Sequence, residues 1–262
     1  MLQAHDEGLI VASQTYPNTK PQYSVELAST AEDIIEAQRL RYRVFAEEMG
    51  ARLNTRIPGV DSDIYDAYCE HLIVRDEAAD KIVGTYRILR PDAAAKVGNY
   101  YSENEFDLIR LHNLRGKTVE IGRSCIDAEY RNGAIISLLW AKLAEYMLTR
   151  GYDYLIGCAS ISMADGGHNA ANLFVQLLDD HLAPPEYRVF PRHPLPFERL
   201  VTGAKAEVPP LVKGYLRAGA YVCGEPAWDP DFNTADLFLL LPMNRISKRY
   251  AKHFLNEADN NV

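Results

Sequence analysis

The stretch Val119-Glu120-Ile121-Gly122-Arg123-Ser124-Cys125-Ile126-Asp127 sets a carboxylate and a guanidinium inside a run of β-branched and small apolar residues. The run is too short for a helix and fits a buried strand. Charges are rarely placed in a buried strand without a partner or a task. Strict alternation sends residues three apart to opposite faces. Gly122 between them can host a β-bulge, which adds one residue to the count and brings Glu120 and Arg123 to one face. A carboxylate there can take a proton and a guanidinium can meet developing negative charge. A satisfied ion pair inside a sheet accounts for the same pattern equally well.

Other charged residues stand where a cleft would use them, and each also has a bland reading. Arg39, Arg41 and Arg43 follow a helix start at Ser29-Thr30-Ala31-Glu32; they make a solvated basic face or turn Arg41 or Arg43 to an anion. Asp61, Asp63 and Asp66 fall in an aperiodic segment, a solvated turn or a receptor for a cation. His71 follows Glu70 at a strand start; a lone histidine is more often structural than a base. Ser124 and Ser160 lie in no Gly-x-Ser-x-Gly elbow, so neither reads as a nucleophile. Asp165-Gly-Gly-His168 has no further ligands close by, and no metal site is expected.

The elements that must position these groups follow from periodicity. Strands are expected at 23–28, 71–76, 81–89, through the organising stretch, and at 154–161, 221–223 and 235–241. Helices are expected from the cap at 29–32 to Gly50, at 103–109, 134–150, 169–182, 209–219 and 246–255. The helix after Gly133 makes the strand at 154–161 parallel to the one carrying Glu120. Residues 184–210 are proline-rich and irregular, with Arg188, Arg192, Arg199 and Lys205 as a basic patch. The fold class is α/β (α+β), a mixed sheet covered by helices. Residues 1–21 read as a loose arm, and 22–262 as one domain with a C-terminal extension from about 184.

The chain has 262 residues, 47% apolar, with a net charge of −8, which speaks against a nucleic-acid partner. Cys69, Cys125, Cys158 and Cys223 form no CxxC pair and read as buried thiols in a reducing compartment. No signal pattern opens the chain and no apolar run would span a bilayer, so the expected location is cytoplasmic.

The order of elements, with a charged strand feeding a helix and a parallel strand, resembles the GNAT acyltransferase fold. Arg41 with Phe45, Asp63 with Asp66, Arg87 after Gly84, and Glu120-Ile-Gly-Arg123 resemble the acyl-homoserine-lactone synthases in order and spacing. Leu138-Leu139-Trp140, the run Leu155 to Ser160, and Pro209-Pro210-Leu211-Val212-Lys213-Gly214-Tyr215 are similar to the hemolysin-like branch, the L-ornithine Nα-acyltransferases of ornithine-lipid synthesis. The likeness spans residues 23–254. It implies a GNAT-like, mostly antiparallel sheet splayed between two parallel central strands, with helices on both faces.

The resemblance also implies a reaction: a 3-hydroxyacyl chain passes from acyl carrier protein to the α-amine of ornithine, giving lyso-ornithine lipid. Glu120 would accept the proton, with Arg123 polarising the carbonyl. Asp63, Asp66 and Glu70 would hold the δ-amine; Arg41, Arg43 or Arg87 would bind the carboxylate, with His71 in the same site. Ser124, Cys125, Arg131, Gly133 and Ser160 would meet the donor. No cofactor is implied beyond phosphopantetheine on the carrier. Arg131-Asn132-Gly133-Ala134-Ile135-Ile136 stands where GNAT enzymes cradle a pyrophosphate, with its glycine out of place, which favours a carrier-protein donor over coenzyme A. The product implies transient contact with the inner membrane surface. The alternatives are an N-acyl amino acid or homoserine-lactone synthase, and a non-catalytic module that binds acyl carrier or lipid.

Overall fold

The computed structural model describes residues 22–246. The expected arm before Gln22 and all but the first residue of the helix expected over 246–255 lie outside them. The chain opens with β1 (Tyr23–Leu27) and α1 (Ala31–Tyr42), which continues as a π-helical turn, Arg43–Glu48. The start of α1 is fixed by a reciprocal cap: the Thr30 side chain accepts from the Asp33 N–H, and the Asp33 carboxylate accepts from the Thr30 N–H. Then come β2 (Glu70–Asp76), β3 (Lys81–Leu89), α2 (Pro91–Val97), β4 (Phe106–Asp107) and β5 (Thr118–Ile126). After β5 the order is α3 (Ala134–Arg150), β6 (Tyr154–Ser162), α4 (His168–His181), β7 (Phe190–Pro191), α5 (Phe197–Leu200) and α6 (Pro210–Ala218). The last strands are β8 (Tyr221–Val222), β9 (Ala227–Asp229) and β10 (Thr234–Pro242).

The main sheet runs β1-β2-β3-β5-β6-β10-β8, with β9 beside β10. Every pairing is antiparallel except β5 with β6, which are parallel only over Thr118↔Tyr154, Val119↔Leu155 and Glu120↔Ile156. Beyond Glu120 they part. One face carries α3, α4 and α6; the other carries α1, α2 and the irregular segments around residues 60 and 101. Val119, Ile121, Ile135, Leu139 and Leu155 pack between β5 and α3, while Leu237, Leu239, Leu173 and Phe174 pack between β10 and α4. Helix α6 bridges the two clusters, with Leu211 on the first and Val212 in the second.

The expected helix over 103–109 is not formed. Tyr101–Asn104 is a single 3-10 turn, Phe106–Asp107 is β4, and a second 3-10 segment covers Ile109–Lys117. The buried carboxylate of Glu120 caps the start of that first turn, and the chain then leaves the helical path at Phe106–Asp107, which pairs with β7.

Candidate active site

A bulge shapes the site. Thr85 pairs with Cys125 and Arg87 with Gly122, so Arg123 and Ser124 together face Tyr86. The bulged residue is Arg123, not Gly122: Arg123 adopts a positive φ of 49°. The extra residue keeps Glu120, Gly122 and Arg123 on the same face of the sheet, the expected outcome reached one residue later.

A small pocket is lined by Tyr65, Cys69, Arg87, Leu89, Tyr101, Glu120, Gly122 and Arg123. Glu120 is 4% exposed. Its carboxylate accepts from the N–H of Tyr101 (2.6 Å), the N–H of Ser102 (2.8 Å) and the Ser102 hydroxyl. Burial raises its pKa, and the hydrogen bonds of Ser102 and Tyr101 pull against that rise. Arg123 donates to the Tyr101 hydroxyl at 3.1 Å and lies over the Tyr101 and Phe232 rings.

Behind the pocket, three guanidiniums meet three carboxylates. Arg41, fully buried, donates to Asp61 (2.7 Å) and to both oxygens of Asp66 (2.8 and 3.2 Å). Arg87 donates to Asp63 (2.7 Å) and Asp66 (3.2 Å). Arg123 stands 3.2 Å from Asp61 and 3.6 Å from Asp63. Burial alone would raise the pKa of Asp66, but Arg41 and Arg87 outweigh it and hold the carboxylate well below its usual range. His71 faces the same group, 3.7 Å from the Asp66 carboxylate, and burial lowers its pKa.

Of the residues singled out above, the fold gathers Arg41, Asp63, Asp66, His71, Arg87, Glu120 and Arg123 on one face. Asp63 and Asp66 are taken up by guanidiniums, and Arg41 is committed to Asp61 and Asp66. Glu70 points to the opposite face, where it accepts from the Tyr146 hydroxyl (2.5 Å) and pairs with Arg90 and Arg150. Arg43 lies 3.8 Å from Asp127. Ser124 turns toward α3, Cys125 packs in the α1 cluster, and Gly133 begins α3. Arg131 pairs with Glu48 (2.6 Å) and the Ile126 carbonyl.

Across the gap from Glu120, β6 and β10 bring a second set to the same face. Ser160 sits opposite Asp236 in register. Asp236 also accepts from Thr234 (2.9 Å). Glu105, from the loop above, brings its carboxyl beside Asp236, and the Cys158 thiol completes a group whose ligand atoms lie within 4.8 Å of one another. Cys158 is 3.3 Å from the Ser102 hydroxyl that also bonds Glu120. Among the described residues neither Glu105 nor Asp236 has a basic partner within ion-pair distance. Burial raises the pKa of both, and the charge of the adjacent Asp236 carboxyl pushes that of Glu105 further, to about 10, so the pair retains a proton at neutral pH. Sequence reasoning missed Tyr101, Ser102, Glu105 and Asp236. Asp236 had a signal: it is a carboxylate inside an otherwise apolar strand, and the only charge there.

The fold and this buried charged strand define a GNAT-type N-acyltransferase. A family model described as an acetyltransferase (GNAT) domain matches residues 40–141. An acyl-homoserine lactone synthase, BjaI, superposes with a TM-score of 0.54 at 16% identity, covering 92% of this chain and 90% of that one. Another, MesI, superposes at 0.52 and 11% identity, covering 90% and 95%. At these identities the likeness is one of fold.

Sequence relatives are more specific. The L-ornithine N(alpha)-acyltransferase of Brucella abortus is 38% identical over 256 residues, 90% of this chain and 89% of that protein. Those of Rhizobium meliloti and Rhodobacter capsulatus are 38% and 35% identical, covering 88% and 90% of this chain and 84% and 96% of theirs. The chain belongs to the L-ornithine N(alpha)-acyltransferase family.

Proposed function

We propose that the protein transfers a 3-hydroxyacyl chain from acyl carrier protein to the α-amine of L-ornithine, giving lyso-ornithine lipid. Glu120 takes a proton from the α-ammonium, directly or through one water. The freed amine attacks the thioester carbonyl carbon, and the carbonyl oxygen becomes an oxyanion beside Arg123 and the bulged backbone. Collapse expels the phosphopantetheine thiolate, and the second amine proton leaves with it as the thiol. Burial of Glu120 supports this role, because a raised pKa makes a carboxylate a better base.

The observation that carries the acceptor assignment is the carboxyl pair Glu105 and Asp236. It lies across the gap from Glu120 without a basic partner among the described residues, where a diamino acid attacking through its α-amine would extend its distal ammonium. Asp61, Asp63 and Asp66 already balance Arg41, Arg87 and Arg123, so the δ-ammonium is assigned to Glu105 and Asp236 instead. Arg87 and Arg123, which line the pocket, are the donors for the α-carboxylate. The lipid product then passes to a membrane surface that the enzyme touches transiently; no described helix is long and apolar enough to cross a membrane.

The test uses purified protein, 3-hydroxyacyl carrier protein or 3-hydroxyacyl-coenzyme A, and ornithine or norvaline, which lacks the distal amine. Mass spectrometry should find Nα-acylornithine, and Glu120→Gln should lose at least 100-fold in kcat. Asp236→Asn should raise the ornithine KM at least tenfold, leave the donor KM unchanged, and narrow the preference for ornithine over norvaline. An unchanged preference in Asp236→Asn would move the acceptor site elsewhere, and normal turnover by Glu120→Gln would remove that residue from the mechanism. Equal or better turnover with the coenzyme A donor would replace the carrier-protein assignment.

A further inference from the structure

Glu120 is buried in β5, and among the described residues no guanidinium or ammonium stands within ion-pair distance of it. Its charge is met by the turn Tyr101–Asn104, and the two oxygens are met unequally. Oε1 accepts two bonds, both from Ser102: the N–H at 2.8 Å and the hydroxyl. Oε2 accepts one, the Tyr101 N–H at 2.6 Å. A carboxylate oxygen offers two lone-pair positions, so Oε1 is filled and Oε2 keeps one open.

The turn that brings these donors is fixed to the strand it serves. Tyr100 is buried and donates its hydroxyl to the Thr118 carbonyl of β5 at 2.7 Å. The Glu103 carboxylate accepts from the Tyr100 N–H at 2.7 Å and pairs with Arg115 at 2.8 Å. Ser102 between them is 0% exposed. Its one hydroxyl proton goes to Glu120, so in its contact with the Cys158 thiol of β6, 3.3 Å away, the thiol donates. Burial keeps that thiol protonated. The donors Cys158 and Ser102 thus point one way, toward Oε1.

We propose that Ser102 is a positioning residue for acyl transfer: it occupies Oε1 of Glu120 and leaves Oε2 as the oxygen that takes the proton of the α-ammonium. The ammonium N–H bond breaks, its electron pair stays on nitrogen, and an Oε2–H bond forms. Oε1 becomes the carbonyl oxygen of the acid and still accepts both Ser102 bonds, so the turn stays in place during the transfer. Ser102 also favours the ionised carboxylate, because hydrogen bonds to a charged acceptor stabilise the charge. The inference rests on the reading of Glu120 as the proton acceptor.

The test is the pH profile of kcat, at saturating donor and ornithine, for the full-length wild type, Ser102→Ala and Glu120→Gln. In the wild type kcat falls on the acid side as Glu120 takes up a proton in the complex. Ser102→Ala removes a donor from the ionised form, so this limb should move up by at least about half a pH unit. On the plateau above it kcat should fall at least about fivefold, with the ornithine KM within about twofold. The other groups around Glu120 do not produce this difference. Arg87 and Arg123 stay charged, and burial keeps the Cys69 and Cys158 thiols and the Tyr65 and Tyr101 phenols neutral. His71 and the pair Glu105 and Asp236 titrate alike in both proteins. A limb that stays in place or moves down in Ser102→Ala, alongside an inactive Glu120→Gln, would overturn the inference and leave Glu120 as the base. Wild-type turnover by Glu120→Gln would instead bring down the reading on which it rests. If Ser102→Ala does not fold, Cys158→Ala removes the donor behind the hydroxyl and should move the limb the same way by less; an unmoved limb there overturns the proposal.

Discussion

Asp66 and Asp236 are buried on the same face of the sheet, yet their neighbours drive their protons in opposite directions. Asp66 lies between Arg41 and Arg87, so its folded pKa falls below the value near 3.9 of a free aspartate. A depressed folded pKa contributes stability above about pH 4 that is lost as pH falls through it. Asp236 has Glu105, Ser160 and Thr234 around it, and burial raises its pKa. A raised carboxyl pKa works the other way: the folded state holds more protons than the unfolded one above pH 4, and stability declines as pH rises across that window. Thermal melts at pH 3, pH 5 and pH 8 should separate the two. Asp66→Asn should cost about 3–5 kcal/mol at neutral pH, the penalty for removing one of three carboxylates that balance three buried guanidiniums, and its deficit should hold from pH 8 to pH 5 and shrink as pH falls below about 4. Asp236→Asn should gain on the wild type as pH rises. A pH-independent deficit for Asp66→Asn, or a deficit for Asp236→Asn that grows with pH, would contradict these charge states.

Two strands that run parallel for three residues and then part need a close approach before the gap opens. That approach is at Gly157 of β6, where a Cβ would come within 2.5 Å of the Ile121 carbonyl oxygen. The obstacle is backbone and cannot rotate aside, so Gly157→Ala should cost about 1–3 kcal/mol, read by urea unfolding, and should lower kcat by shifting Glu120 one residue away. A variant as stable and as active as the wild type would mean that the strands separate earlier than Gly157. The elements were legible because their periods are strong: β3 and α3 begin and end where alternation and helical spacing put them. The bulge was legible in kind but not in place, because a glycine is the conventional host and here a network of ion pairs holds an arginine in its stead. The turn at Tyr101–Asn104 left no local signal, since what shapes it is Glu120, 19 residues on in sequence from Tyr101. Asp61, Asp63 and Asp66 read as a loop because their order comes from Arg41, Arg87 and Arg123, which only the folded sheet brings near.

At the scale of the whole molecule, the net charge of −8 opposes the donor proposed above, an acidic acyl carrier protein. Docking then needs a local basic surface, because charges farther apart than about 8 Å are largely screened at physiological salt. Part of the basic patch on the C-terminal extension is already spent within the fold. Arg188 donates to the Ala183 carbonyl, and Arg192 donates to the Glu103 carbonyl, which ties the extension to the loop bearing Glu105. Arg199 and Lys205 are exposed and keep their charge for a partner. The two fields predict opposite salt responses. Contact between the patch and the carrier weakens as salt rises, so the KM for acyl carrier protein should climb several-fold between about 0.05 and 0.3 M salt, within the range where the screening length falls from above to below 10 Å. Arg199→Glu with Lys205→Glu should raise that KM at low salt and flatten the dependence, with the ornithine KM unmoved because its site is buried. A KM that falls as salt is added would mean that long-range repulsion dominates and that the carrier docks away from these two residues.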